Sequence, residues 1–260
     1  MRLRIMSLNL RYDKPDPGDN AWKVRRKAVA ALISHYAPDV IGTQEGKPHQ
    51  LYDLQGLLPD YQMVGGDRSG GGKDEHCAIL YREEQLKCLN TEDFFLSYTP
   101  EIPGSISPDW GNPIPRMVTK AVFGNTANSK KITVFNTHLD YRSARARELS
   151  AELICSRMGN IDPADSYLFL TGDFNAEPAT LARETFLRQM SNQVQLEDAL
   201  SSLELRQQMS FHDFTGKAFA AIDTIYYDSR VSLAKAKVDT ANWDEIWASD
   251  HFAVIGDFII

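Results

Sequence analysis

The sequence contains little cysteine, no long apolar segment and no excess of positive charge. Its three cysteines, Cys77, Cys88 and Cys155, are odd in number and widely spaced, which favours reduced thiols over a disulfide framework or a Cys-x-x-Cys metal site. No apolar stretch approaches the ~20 residues that cross a bilayer, so no membrane insertion is expected. Lys and Arg number 28 against 35 Asp and Glu, and the net charge of −7 provides no general attraction for nucleic acids.

The rest of the composition is that of a folded globular protein. The 260 residues are 43% hydrophobic and 24% charged, enough to bury a large core. The first nine residues carry two arginines without a following apolar region or small-residue cleavage site, so they do not read as a signal peptide and a cytoplasmic location is expected. No feature indicates an obligate protein partner.

Short apolar strands with few helices between them predict one mixed α/β domain spanning residues 1–260. Strands are expected near residues 2–10, 40–41, 61–64, 77–81, 118–123, 132–136, 167–170, 222–227, 231–238 and 252–259. Helices are expected to start after an Asn20 cap, to cover 48–58 and 144–158, and to begin near Pro178. No linker or internal repeat divides the chain.

Three further segments have a local interpretation. The glycine-rich residues 65–72 lack the Lys-Ser or Lys-Thr pair of a Walker A motif, which favours a flexible hairpin connection. Residues 98–115 hold five of the twelve prolines and predict a long ordered loop, of a length that is often functional. The basic residues after Trp22, at helical spacing, predict a solvated helix face. They are Lys23, Arg25, Arg26 and Lys27.

Polar, metal-competent residues follow predicted strands at five separated places. Strands packed on both faces carry their functional side chains at their ends, and carboxylates, amides and histidines there suit a hard divalent cation. The five places are Asn9, Gln44-Glu45, Asn136-Thr137-His138, Gly172-Asp173-Phe174-Asn175 and Ser249-Asp250-His251. None contains cysteine, which favours Mg²⁺, with Mn²⁺ as the alternative ion.

In this order along the chain, the motifs resemble those of the endonuclease/exonuclease/phosphatase superfamily. The resemblance covers nearly the whole chain and rests on Thr43-Gln44-Glu45, Asn136-Thr137-His138-Leu139, Gly172-Asp173-Phe174-Asn175, Ile222-Asp223 and Ser249-Asp250-His251. Similarity to the bacterial metal-dependent hydrolase branch, related to deadenylase-like proteins, rests on Asn20-Ala21-Trp22 with Arg25, residues 38–42 and Pro115-Arg116. The resemblance implies a four-layer αββα sandwich of two packed mixed sheets flanked by helices, with the site at one edge of the sheets.

Three residues are predicted to hold the metal. Glu45 is the best single ligand, because Mg²⁺ is commonly held by one carboxylate with several retained waters, and the resemblance implies the same role. A solvated or capping glutamate is the alternative. Asn9 would supply a neutral amide oxygen beside it. The resemblance makes Asp250 a further metal-side carboxylate, and the number of ions stays open.

Five residues are predicted to be catalytic. The resemblance implies that Asp173 orients or deprotonates the attacking water and that Asn175 binds the phosphate, although an Asx turn would also explain this pair. It makes Asp223 and His251 a carboxylate–imidazole pair in which the aspartate favours the imidazolium that contacts the phosphate. His138 is similar to the second histidine of the family, which stabilises developing charge or assists the leaving oxygen.

Two arginines are candidate phosphate ligands: Arg116 after the proline-rich loop and Arg147 on the following helix. Glu75 is a candidate partner of His138. The remaining histidines are predicted to be structural or exposed. They are His35, His49, His76 and His212.

These residues predict a Mg²⁺-dependent phosphoesterase that acts by in-line attack of water on a phosphoester, with a small, sugar or lipid phosphate as substrate. A nuclease or deadenylase-like enzyme of the same fold is the alternative. Nucleic acid is the less favoured partner, because the chain has no basic tract or aromatic-basic ladder. A non-catalytic binding module is disfavoured because all the expected acids, amides and histidines are present.

Overall fold

Two mixed sheets of six strands each form the centre of the part of the chain that the computed structural model describes, residues 1–125 and 130–260. The first sheet contains, from edge to edge, β11 (Ser232–Asp239), β12 (Ala253–Ile259), β1 (Arg2–Asn9), β2 (Val40–Gln44), β4 (Ile79–Arg82) and β3 (Tyr61–Val64). The second contains β5 (Leu86–Phe95), β6 (Met117–Asn125), β7 (Lys131–His138), β8 (Ser166–Asp173), β10 (Asp223–Asp228) and β9 (Leu196–Asp198).

Each sheet includes one parallel pair joined by a helical crossover. The helix α1 (Trp22–Tyr36) connects β1 to β2, and α3 (Ala144–Gly159) connects β7 to β8. The other helices of the described residues are α2 (Pro48–Leu57), α4 (Leu181–Phe186) and the single turn α5 (Leu205–Gln208). The cap of α1 is Ala21 and not the predicted Asn20, which lies in a preceding 3₁₀ turn.

Apolar side chains fill the space between the sheets and the space between each sheet and its helices. The two sheets meet at residues such as Ile5 and Val134, and the rings of Phe169 and Phe258 pack edge to face at 5.1 Å. On the outside, Leu32 of α1 belongs to the cluster that covers the first sheet, and Ile154 of α3 to the cluster that covers the second. These layers confirm the predicted αββα sandwich.

The register of the strands brings their polar ends to one edge. Parallel pairing of β7 with β8 places His138 beside Asp173, and antiparallel pairing of β10 with β8 places Asp223 beside the same residue. In the other sheet, Asn9 at the end of β1 pairs with Gln44 at the end of β2. The sequence motifs thus meet because they lie at corresponding ends of neighbouring strands.

Near this edge the sheets are joined by hydrogen bonds as well as by apolar contact. The Asn136 amide group donates to the carbonyl oxygens of Thr43 in β2 and of Ala78, which directly precedes β4, at 2.7 and 3.1 Å. Its oxygen accepts from Gln44 Nε2 at 2.7 Å and from Thr171 Oγ1 at 3.0 Å. A fully buried asparagine with four partners fixes the sheets in one relative position, because its polar atoms would lose their partners in another.

Most predicted elements are present with small differences at their ends, and residues 98–115 form the expected loop, with one 3₁₀ turn at Pro108–Trp110. Two strands were not predicted, β5 and β9. Strand β5 lies at a sheet edge, carries a bulge between Cys88 and Asn90 and exposes several polar residues, so it lacks the alternation that marks a strand. Among the described residues, no helix combines the length and apolar character needed to cross a membrane.

Candidate active site

At the edge where the strand ends meet, both sheets contribute to a cleft of about 460 Å³. Its charged lining consists of Glu45, Glu75, Asp173, Asp250, Arg11, Arg68 and Arg116, with His138 and His251. Its apolar and aromatic lining consists of Tyr12, Ile114, Tyr141, Phe211 and Ile222. A cleft of this size with converging polar groups is typical of a site for a small ligand.

Glu45 and Asp173 come from different sheets and are held together by one asparagine. The Asn9 amide group donates to Glu45 Oε1 and to Asp173 Oδ2, both at 3.0 Å. The backbone N–H of Tyr12 donates to Glu45 Oε2 at 3.0 Å. Glu45 itself has a φ of 63°, the left-handed conformation that is rare for a residue with a side chain. This costly turn and the shared asparagine place two carboxylates side by side.

Asp173 lines the cleft between the two histidines His138 and His251. It is buried, and burial together with the neighbouring Asp223 raises its pKa above the ordinary value of a carboxyl group. Its Oδ2 lies 3.5 Å from His138 Nε2 and 3.8 Å from His251 Nε2. A carboxylate of raised basicity that faces the cleft is suited to accept a proton.

Asn175 confirms the Asx turn considered as an alternative, since its N–H donates to Asp173 Oδ1 at 2.9 Å and its φ is 47°. Its side-chain amide donates to the Leu139 carbonyl at 3.0 Å, and Asn175 also lines the cleft. Asn175 therefore forms the turn and also lies at the cleft, where its predicted contact with a phosphate stays a prediction.

His251 is paired with Asp223 as predicted. Their Nδ1 and Oδ2 atoms are 2.8 Å apart, and both side chains are buried. Burial by itself lowers the pKa of His251, but Asp223, Asp173 and Asp250 raise it above the ordinary value, so the imidazole is charged at neutral pH. Ser210 Oγ donates to the same Asp223 oxygen at 2.6 Å and holds the carboxylate in place.

His138 has the opposite charge state. Burial and the nearby positive charges of Arg116, His251 and Arg68 lower its pKa well below the ordinary value, so the ring is neutral. Glu75, the candidate partner of His138, instead accepts from Arg68 Nη1 at 2.7 Å, and the hydrogen bonds of the described residues do not join it to His138. Burial raises the pKa of Glu75 to about 7, against the opposing effect of Arg68.

The donor set at the cleft fits a hard divalent cation. Ligand atoms of Glu45, His138 and Asp173 lie within 4.8 Å of one another, and two of the three are carboxylates. Glu45 belongs to the predicted metal set, whereas Asn9 directs its nitrogen to the carboxylates and its oxygen to the N–H of Arg11, at 2.8 Å. Ligation by Asn9 would require the two amide atoms to exchange places. Asp250 lines the same cleft, 3.3 Å from Arg11 Nη1.

The two candidate phosphate ligands have different positions. Arg116 lines the cleft with only 4% of its surface exposed, and its Nε lies 3.8 Å from Asp140 Oδ2 without a hydrogen-bond partner. Arg147 donates to the Asp140 carbonyl at 2.8 Å and does not belong to the cleft lining. The geometry favours Arg116 as the residue that meets an anion, because a buried guanidinium retains unused donors.

The prediction that Arg25 lies on a solvated helix face is wrong. Arg25 is fully buried and donates to the carbonyl oxygens of Asn20, Leu10, Arg11 and Ala248. These carbonyls lie before α1, after β1 and before β12, so a single guanidinium joins the segments that carry Asn9 and Asp250. Helical spacing alone could not reveal this role, because the partners are distant in sequence.

Sequence reasoning also missed Arg11 and Arg68. Arg11 follows β1 in a left-handed conformation, φ 55°, and faces Asp250. Arg68 belongs to the glycine-rich segment interpreted as a flexible connection. Asp67 Oδ2 organises that segment by accepting from the N–H groups of Lys73 and Asp74, at 2.6 and 2.7 Å. The aspartate directly before Arg68 was the available signal, since a short acidic side chain in a glycine-rich loop often ties the backbone.

The chain has clear structural and sequence relatives. The Endonuclease/Exonuclease/phosphatase family model matches residues 6–251. An endonuclease/exonuclease/phosphatase of Bacteroides vulgatus is similar with a TM-score of 0.90 and 28% identity, covering 100% of this chain and 99% of the other. A mannosyl-6-phosphatase of Bacteroides thetaiotaomicron is similar with a TM-score of 0.88 and 28% identity, covering 99% and 100%.

A more distant likeness shows the fold alone. The human Nocturnin catalytic domain is similar with a TM-score of 0.77 and 20% identity, covering 99% of this chain and 93% of the other. No curated protein sequence matches the chain. The family match extends over all the strand-end motifs that form the cleft, and the chain belongs to the Endonuclease/Exonuclease/phosphatase family.

Proposed function

We propose that the protein is a Mg²⁺-dependent phosphoesterase that hydrolyses a small phosphorylated substrate, with a sugar phosphate as the favoured class. One observation carries this proposal. Two carboxylates from different sheets, Glu45 and Asp173, meet beside a charged His251 and a neutral His138 in one cleft. This combination supplies cation ligands, a base and groups that neutralise phosphate charge.

Each group has a distinct part in the reaction. Glu45, Asp173 and His138 would hold the cation, with Asp250 nearby, and a bound divalent cation would supply positive charge against the phosphate. Asp173 also stands where it can orient a water and accept its proton, since one of its oxygens is fixed by the Asn175 N–H.

Charge that develops on the phosphate oxygens is met by fixed positive groups. His251 is held by Asp223 in the protonated form, and its Nε2 remains available to donate toward the cleft. Arg116 adds a buried guanidinium. Because these donors are in position before the substrate arrives, no reorganisation is needed when the charge develops.

The size and lining of the cleft favour a small substrate over a polymer. About 460 Å³ accommodates a phosphorylated sugar, and Tyr12, Tyr141 and Phe211 offer apolar surface to its ring. The net charge of −7 does not favour a long polyanion. The Bacteroides thetaiotaomicron relative at 28% identity is a mannosyl-6-phosphatase, which supports the sugar phosphate class.

The test is phosphate release from hexose 6-phosphates and p-nitrophenyl phosphate, compared with bis-p-nitrophenyl phosphate, sphingomyelin, poly(A) and plasmid DNA, in Mg²⁺ or Mn²⁺. We expect turnover of small esters and little cleavage of polynucleotides. Asp173→Asn should abolish the turnover of small esters. The control His49→Ala, which replaces an exposed histidine paired with Asp13, should leave this turnover unchanged. Preferred cleavage of poly(A) or DNA would support the nuclease alternative, and no hydrolysis of any phosphoester would contradict the proposal.

A further inference from the structure

Beside the cleft lies a recess of only about 10 Å³. Its lining shares Arg68, Arg116 and His138 with the cleft, together with the carboxylates of Glu45 and Glu75. His76 and the buried side chains of Cys77 and Met117 complete the wall. A volume of this size holds about one water molecule. A group that lies against the two arginines therefore has no space behind it for a further substituent.

The two arginines of the recess retain unused hydrogen-bond donors. The Nε atoms of Arg68 and Arg116 are both buried and have no partner. Both arginines line the recess together with His138, so the three side chains surround the same small volume. Buried, unpaired guanidinium donors beside an open cleft are suited to an anion.

Arg68 is held rigidly in place. Its Nη1 donates to Glu75 and its Nη2 lies 3.1 Å from Asp74 Oδ1. The loop that carries it is tied by Asp67 and packs against the proline-rich loop, where a Cβ on Gly70 would lie 2.3 Å from Pro103. The guanidinium is therefore positioned before a ligand binds, so little entropy is lost on binding.

We propose that Arg68 and Arg116 form a seat for the phosphoryl group of a phosphomonoester dianion, so that the enzyme hydrolyses monoesters and discriminates against diesters. This rests on the proposed phosphoesterase function and specifies its substrate class. Glu75 and Asp74 balance charge on Arg68, but the N–H donors of the two guanidinium groups suit the three terminal oxygens of a monoester better than the two of a diester. Because the recess beside the arginines holds about one water molecule, an ester substituent has space along the cleft and not behind the arginines.

The experiment measures kcat/KM for p-nitrophenyl phosphate and bis-p-nitrophenyl phosphate at fixed Mg²⁺, and calorimetric binding of inorganic phosphate to the metal-free protein. Variants are Arg68→Met and Arg116→Met, with the exposed Arg142→Met as matched control. We expect the wild type to prefer the monoester. Each seat variant, Arg68→Met or Arg116→Met, loses a charge-assisted hydrogen bond to the phosphoryl group. The ratio of kcat/KM for the monoester to kcat/KM for the diester should therefore fall by about 10-fold or more, and the affinity for inorganic phosphate should fall by a similar factor. The control should match the wild type.

If a methionine variant does not fold, Arg68→Lys and Arg116→Lys are measured in its place. These variants keep the charge but lose the planar donor fork of arginine, so they should show a smaller decrease in the monoester-to-diester ratio of kcat/KM and in phosphate affinity. A wild type that prefers the diester, or ratios and phosphate affinities unchanged in both seat variants, would overturn the proposal while leaving the phosphoesterase function intact. Arginine-dependent phosphate binding without hydrolysis of any ester would support the seat and reject the proposed function. Absence of phosphate binding to the wild type would overturn the seat.

Discussion

Replacement of Asp223 by Asn tests whether this carboxylate keeps His251 charged. The imidazole and carboxylate are 2.8 Å apart and both buried, with side-chain exposures of 5% and 1%. Asn keeps an oxygen that accepts from His251 and from Ser210, so the substitution removes charge with little change in shape. The positive charge of His251 should then be less stable, and its pKa should be lower.

The size of the shift follows from the charge separation. Two unit charges about 4 Å apart interact by about 4 kcal/mol at an effective dielectric constant of 20, and about 1.4 kcal/mol corresponds to one pKa unit. Because Asp173 and Asp250 also raise the pKa of His251 and remain in the variant, we expect a decrease of about 1–3 units.

The pH dependence of activity should shift in one direction, toward lower pH. If the imidazolium neutralises phosphate charge, activity falls as pH rises through the pKa of His251, and in Asp223→Asn this loss should begin at lower pH. The pH dependence of kcat and an NMR titration of the histidine ring measure it. Asp228→Asn, at the other end of β10 and paired with Arg230, is the matched control. If the loss of kcat at high pH and the pKa of the His251 ring are both unchanged in Asp223→Asn, the proposed effect of Asp223 on His251 is refuted.

Three further predictions concern stability, the loop and salt. Gly42→Ala should lower the free energy of unfolding by about 3 kcal/mol or more, because its Cβ would lie 1.9 Å from Thr171 Oγ1. The control Gly56→Ala, whose Cβ would have no atom within 4 Å, should be neutral or stabilising in the same denaturant titration. Equal effects of the two substitutions would contradict the close contact between the sheets at Gly42. Asp67→Ala should raise KM for a small phosphoester by freeing the loop of Arg68, and an unchanged KM at lower stability would limit Asp67 to a structural role. The kcat/KM for a small phosphoester should depend only weakly on salt, since few phosphates are contacted, and a steep decrease between low and moderate salt would contradict this.

The parts of the site that the sequence predicts are those that end strands. His138, Asp173 and Asp223 each belong to a local motif, and strand pairing then places them in register. The mixed α/β class follows from the short apolar strand segments, whereas the four-layer αββα arrangement was implied by the family resemblance. Strand β9, with three residues, was too short for such a pattern.

The parts that the sequence did not predict depend on contacts between distant segments. Arg25 has a helical position like that of an exposed residue, and only the carbonyls of Arg11 and Ala248 make it a buried link. Arg68 lies in a loop whose backbone is tied by Asp67. Neither contact produces a periodic pattern, and the aspartate before Arg68 was the one local signal.

The central claim is that Glu45 is required for cation-dependent phosphoester hydrolysis, and the most direct measurement is phosphate release as a function of Mg²⁺ concentration in wild type and Glu45→Gln. The substitution keeps the shape of the side chain and its contact with Asn9 while removing the negative charge that attracts the cation. We predict that kcat/KM falls by about 100-fold or more at saturating Mg²⁺, and that the exposed control Glu84→Gln retains wild-type activity. Equal turnover in Glu45→Gln and wild type, or full wild-type activity in excess EDTA, would contradict the account.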